Sequence, residues 1–133
     1  MPSVPSEPKL VLVVEDNDAN MRLVQKVLQY QGYRVLGARA AEEGIALANE
    51  HQPAIILMDL QLPGMDGAEA LQRLRSEPET RQIPVLAFTA LALKHDRERF
   101  AAAGFDAYVT KPVDVAELGA QVRRFVDGGR VDA

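Results

Sequence analysis

Leu10-Val11-Leu12-Val13-Val14 ends in Glu15-Asp16, and Ile55-Ile56-Leu57-Met58 ends in Asp59. Val85-Leu86-Ala87-Phe88 ends in Thr89, and Tyr108-Val109-Thr110 ends in Lys111-Pro112. Three carboxylates, one hydroxyl and one ammonium therefore follow four short apolar runs. Carboxylate oxygens are the ligands that hard divalent cations prefer. A lysine and a hydroxyl can meet the oxygens of a phosphoryl group. Runs rich in Val and Ile, separated by helix-length segments, read as fully buried parallel strands. In an open α/β sheet the carboxyl edge of such strands is where ligands bind, so all five groups reach one edge. Asp59 has little structural reason to end an apolar run, because a lone buried carboxylate is costly. Glu15 and Asp16 also have a plainer reading as loop acids at the positive end of the first helix.

The elements that must position these groups follow from periodicity. A strand near Lys9–Val14 leads into a helix over about Asp18–Gln31, where Met21, Val24, Val27 and Leu28 share one face and Gly32 is a C-cap. Asn17 and Asn20 are cap candidates at its start. A strand near Tyr33–Leu36 precedes a helix near Ala41–His51, which Pro53 follows. The third strand runs over Ala54–Met58. Leu62-Pro63-Gly64-Met65 then reads as a turn, and Asp66 with Glu69 as a capping box. After strand four a helix near Lys94–Ala103, ended by Gly104, has a core face of Ala101, Ala102 and Ala103 and is weakly anchored for want of apolar area. Strand five, Ala107–Thr110, precedes a last helix with Leu118, Val122, Phe125 and Val126 on one face and Asp114 with Glu117 as a capping box. Alternation of five strands with five helices predicts an α/β fold, (βα)5, with a doubly wound five-stranded parallel sheet.

Composition narrows the classes. The 133 residues fit one domain, with 47% hydrophobic and 26% charged residues. A net charge of −4 gives no basic footprint for nucleic acid. Absence of cysteine excludes disulfides and zinc–thiolate sites and fits a reducing, cytoplasmic setting. No apolar stretch approaches the ~20 residues of a membrane span, so no membrane association is expected. Three prolines in Met1–Pro8, without a charged or apolar leader region, predict an extended tail over residues 1–8. The folded domain is expected over 9–127, and a short C-terminal tail over 128–133. That leaves no room for an output domain. His51 and His95 lie in polar helical surroundings and read as surface residues, and His95-Asp96-Arg97-Glu98-Arg99 reads as a solvated helix face.

Together, Val14-Glu15-Asp16-Asn17, Leu57-Met58-Asp59-Leu60-Gln61-Leu62-Pro63-Gly64-Met65-Asp66-Gly67, Phe88-Thr89-Ala90 and Tyr108-Val109-Thr110-Lys111-Pro112 make the chain similar to the receiver domain of two-component response regulators. Each motif alone is weak; all four in order at strand ends are specific. The likeness covers Leu10 to Val126. It implies the flavodoxin-like strand order 2-1-3-4-5. It implies that Asp59 accepts a phosphoryl group from a phosphohistidine, with Mg2+ held by Glu15 (through water), Asp16, Asp59 and the backbone carbonyl of Gln61. Lys111 would neutralise the phosphoryl group, in front of a cis bond to Pro112. Thr89 and Tyr108 would form the switch, Thr89 drawing inward and Tyr108 turning from solvent to a buried position. The implied partners are a histidine kinase or a histidine phosphotransfer protein, chosen by the first-helix surface, and a downstream protein target. The molecule would be a monomer or a phosphorylation-dependent dimer. It would be a stand-alone switch closest to the cell-division and hybrid-kinase receivers and less like the chemotaxis type.

Competing classes fit less well. An aspartyl phosphatase needs a second Asp two residues after the first, and that position is Gln61. No serine follows a strand as a nucleophile elbow would require. A flavin-binding module of the same topology would place hydroxyls and glycines after strand one, where Glu15-Asp16 would repel its phosphate. The chain is thus expected to be no enzyme beyond its own phosphorylation and slow dephosphorylation.

Overall fold

The computed structural model describes residues 9–128 apart from 61, 63, 66, 90–97, 99–100 and 112. Five strands, β1 (Leu10–Val14), β2 (Arg34–Ala38), β3 (Ile55–Asp59), β4 (Val85–Thr89) and β5 (Ala107–Thr110), form one parallel sheet in the order β2-β1-β3-β4-β5. Helices α1 (Asp18–Tyr30), α2 (Ala41–His51), α3 (Gly67–Ser76) and a C-terminal helix (Val115–Gly128) connect or follow them, and residues 98 and 101–103 are also helical. This is the doubly wound fold that the alternation of patterns predicts.

Side-chain alternation along the strands builds two cores. Leu12, Val14, Ile56, Met58, Val85 and Ala87 pack on one face against Ala41 and Ala48 of α2 and Ala70, Leu71 and Leu74 of α3. Val11, Val13, Ile55, Leu57, Leu86, Phe88 and Val109 pack on the other against Val24 and Leu28 of α1 and Leu118, Val122 and Phe125 of the C-terminal helix. Burying each such aliphatic or aromatic side chain is worth roughly 1.5–3 kcal/mol, so the inner strands cannot be polar on either face. All residues of β3 and β4 are buried, which is why they read as unbroken apolar runs.

The boundaries differ from the sequence reading at the ends of β2 and β3, and burial differs along residues 101–103. Edge strand β2 occupies Arg34–Ala38 rather than Tyr33–Leu36, because its pairing continues through Gly37 and Ala38 opposite Val13 and Val14. Its exposed Arg34 and Gly37 carry no apolar signal. Asp59 is the last residue of β3 rather than the first beyond it. Ala101 and Ala102 are exposed and only Ala103 packs on the core, so the expected alanine core face is one residue wide. The rest of the 94–103 helix, Asp66 of the expected capping box, Pro112 and both tails apart from Gly128 lie outside the described residues.

Local signals hold at several ends. Asn17 is the N-cap of α1, its Oδ1 accepting from the Asn20 amide at 2.9 Å, so of the two candidates the cap is Asn17. Asp114 Oδ1 accepts from the Glu117 amide at 3.0 Å at the head of the C-terminal helix. Gly32 follows the α1 cap at φ +97°, a conformation glycine adopts without strain. Gly44 lets α2 settle on β1, since a Cβ there would stand 2.6 Å from Val14 Cγ2.

At the edge of the sheet remote from the acids, Arg75 closes the structure. Its guanidinium donates to the carbonyl of Ile83 at 2.7 Å and pairs with Asp106 at 2.9 Å, and Asp106 Oδ2 also accepts from the Val85 amide at 2.8 Å. Both side chains are largely buried, so removing one charge strands the other. Arg75→Met is expected to lower unfolding stability by about 2–4 kcal/mol in urea melts while leaving metal binding at the opposite edge unchanged.

Candidate functional site

Strand register places the chemistry. Val14 pairs with Met58, Asp59 with Phe88, and Thr89 with Thr110, so Glu15, Asp59, Thr89 and Lys111 arrive at one edge within two residues of each other. The ladder continues past the strand ends. The Glu15 amide donates to Ala38 at 2.9 Å, that of Leu60 to Phe88 at 3.3 Å, and that of Lys111 to Thr89 at 2.8 Å. The backbones carrying the polar side chains are therefore held by the sheet rather than by free loops.

The centre of the site is Lys111. Its Nζ lies 3.0 Å from Asp59 Oδ2 and 2.8 Å from Glu15 Oε1. Asp59 is 2% exposed and Glu15 1%. Glu15 Oε2 accepts from the Asn17 amide at 3.1 Å. Its Oε1 meets the ammonium in a short, charge-assisted contact. Burial, then the neighbouring Asp59, holds the Glu15 carboxyl above the usual carboxylate range against the opposing pull of Lys111 and the Asn17 amide. Burial draws the Lys111 ammonium down, but its bonds to Glu15 and Asp59 outweigh this and leave it above the ordinary lysine range.

One carboxylate oxygen from each of Glu15, Asp16 and Asp59 lies within 4.8 Å of the other two. At that spacing each like-charged pair repels by on the order of 3 kcal/mol in a medium of intermediate dielectric. One ammonium cannot offset three carboxylates. An oxygen-only cluster carrying more negative charge than its one ammonium offsets, with one exposed member, Asp16, fits a hard divalent cation that keeps part of its water.

The structure thus brings together Glu15, Asp16, Asp59 and Lys111. Thr89 is the buried last residue of β4, next to Phe88 and bonded through its carbonyl to Lys111. Tyr108 is half-buried against the core that α2 and α3 cover, between the solvent-facing and buried positions expected of it. Gln61 lies outside the described residues. His51 is an exposed residue paired with Glu50, as its polar setting suggests.

Two neighbours of the site escaped the sequence reading. Arg39, the first residue after β2, donates to the Asp16 carbonyl at 3.3 Å and pairs with Asp18. Its place at a fifth strand end on the same edge was the available signal. Phe88 lies under Lys111, with Nζ 4.8 Å from its ring centroid. Nothing in an apolar run marks one member as the floor of a site.

The response regulator receiver domain model matches residues 11–123. The chain belongs to that family. This receiver domain is 40% identical to the polar-differentiation response regulator DivK of Brucella anthropi over 119 residues, 90% of this chain and 97% of that protein. It superposes on a response regulator from Chloroflexus aurantiacus with a TM-score of 0.85 at 30% identity, covering 90% and 98% of the two chains. The receiver domain of sensor histidine kinase PA1611 from Pseudomonas aeruginosa, solved with a magnesium ion in its active-site cleft, gives 0.84 at 34% identity over 91% and 99%. Likeness to a polar-differentiation regulator and to a kinase-borne receiver agrees with the subgroup that the motifs suggest.

Because a ligand that binds only the folded state stabilises it, Mg2+ is expected to raise the thermal midpoint of the receiver. Asp16→Asn, which removes one of the three mutually repelling carboxylates, should raise the metal-free midpoint and abolish most of the Mg2+-dependent rise, read as a melt with excess MgCl2 set against one with EDTA.

Proposed function

We propose that Asp59 is the phosphoacceptor of this receiver, assisted by Lys111 and Thr89, with Glu15, Asp16 and the Gln61 carbonyl completing the cation site. Phosphoryl acceptance in two-component signalling is the function of the family, and receiver-domain response regulators are signalling proteins. The observation that carries the assignment is the buried Asp59 carboxylate at the end of β3, 3.0 Å from Lys111 Nζ and within 4.8 Å of two further carboxylates. The cation is Mg2+, in keeping with the oxygen-only cluster and the magnesium-bound relative. When bound it supplies positive charge to the carboxylates and to the oxygens of the transferring group.

In the reaction one Asp59 carboxylate oxygen attacks the phosphorus. The O–P bond forms as the P–N bond to the donor histidine breaks, and the imidazole nitrogen leaves with the electron pair. Lys111 then faces a phosphoryl group instead of a bare carboxylate and bonds its oxygens. Thr89 offers its hydroxyl to another oxygen. Because its carbonyl is tied to the Lys111 amide and it pairs with Thr110, a shift of Thr89 is felt in β5 and by Tyr108. The added charge of about −1.5 to −2 is enough to bias such an element.

Receivers work with histidine kinases or phosphotransfer proteins and with downstream targets. Here the donor is a phosphohistidine protein meeting α1, where Tyr30 is exposed beside Val115 at the rim of a groove also lined by Lys26, Val27 and Gln31. Among the described helices none is long and apolar enough to cross a membrane, and the proposed setting is the cytoplasm. The proposed output is binding rather than catalysis, with no activity beyond phosphoryl acceptance and slow loss.

Incubation with acetyl phosphate and Mg2+ is expected to add one phosphoryl mass, labile to hydroxylamine and lost with EDTA. Asp59→Asn should show none by intact-mass spectrometry, and labelling that persists at another residue would overturn the assignment. Thr89→Ala should still accept phosphate, but the Tyr108 ring resonances should no longer shift on phosphorylation.

A further inference from the structure

We propose that Phe88 is a positioning residue for Lys111, its ring face keeping the ammonium in the site when the carboxylates are taken up by the cation and the phosphoryl group. The inference rests on the roles given above to Asp59 and Lys111. The described contacts of Nζ are Glu15 Oε1 at 2.8 Å, Asp59 Oδ2 at 3.0 Å and the Phe88 ring at 4.8 Å from its centroid. The first two belong to the cluster that suits a divalent cation. A cation bound there draws on the charge that now holds Lys111 and repels the ammonium as well. The aromatic face is uncharged, does not titrate and offers a hard cation no oxygen. Of the three contacts it alone is independent of metal loading.

Several features make that face a fixed support. Phe88 is fully buried and packs in the core shared with α1 and the C-terminal helix, so its ring is not free to turn away. It pairs in register with Asp59 and precedes Thr89, which puts the ring at the level of the nucleophile by backbone geometry alone. The Lys111 side chain is only 15% exposed, so the attraction acts in a largely desolvated setting where cation–π contacts are strongest. A leucine would serve the core with similar apolar area but has no quadrupole. A free lysine chain would regain its rotamer entropy by leaving the site.

The test replaces Phe88 site-specifically with mono-, di- and trifluorophenylalanine, which keep the shape of the ring while draining its negative face. At saturating Mg2+ the rate constant for phosphorylation by acetyl phosphate is expected to fall stepwise, by about three- to tenfold across the series, with Phe88→Leu at the lower end. A rate that is flat across the fluorine series makes Phe88 a packing residue and overturns the proposal. A second readout does not depend on phosphorylation. In protein labelled at lysine 13Cε, with Lys111→Met fixing the assignment, the Lys111 signal should carry an upfield ring-current shift that persists when Mg2+ is added and is lost in Phe88→Leu. Loss of that shift on adding Mg2+ to the unsubstituted protein also overturns it. If the unsubstituted protein takes no phosphoryl group, the reading of Asp59 fails, and the resonance still decides the contact.

Discussion

Three carboxylates gathered at one sheet edge repel each other, and the structure is arranged around that cost. Central strands bury Glu15 and Asp59, where charge is least tolerable, and leave Asp16 in water. Lys111 answers two of the three. The remaining negative charge is what gives the site its appetite for a divalent cation, whose two positive charges restore the balance. A fold that neutralised the cluster internally would be more stable and chemically idle.

The sheet makes that crowding possible. Parallel pairing advances the strand ends in step, and each ladder carries one residue beyond the strand, so the acids and the lysine stand on backbone that is already paired. Two cores, one on each face, clamp β1, β3 and β4 so firmly that their termini cannot drift apart to relieve repulsion. Packing energy from the apolar runs is thereby converted into a defined electrostatic arrangement at their ends.

How much of this was legible depended on burial. The inner strands announced themselves because every residue is apolar up to the polar terminus, and Glu15, Asp16, Asp59, Thr89 and Lys111 stood out as the breaks. Edge strand β2 hid its last two residues, since the exposed Gly37 interrupts the apolar pattern before the buried Ala38. Phe88 was invisible for the opposite reason: in a uniformly apolar run, the residue lying under an ammonium looks like its neighbours. Arg39 was missed because an exposed arginine after a short strand is ordinary in type and informative only in place. The alanines before Gly104 misled because small residues satisfy an apolar pattern without being buried.

The Arg75–Asp106 clamp has a consequence for how the molecule can move. It ties the starts of β4 and β5 to α3, on the side of the sheet away from Lys111, while the far ends of the same two strands carry Thr89 and Lys111. The same strands are also paired at their far ends, where Thr89 faces Thr110 and its carbonyl accepts from the Lys111 amide, so one end of the pair is held by a buried ion pair and the other by backbone bonds. Under the proposed role of Thr89, its movement would be handed to Lys111 and β5 through that pairing, as along a rail anchored at its start, rather than by parting the two strands.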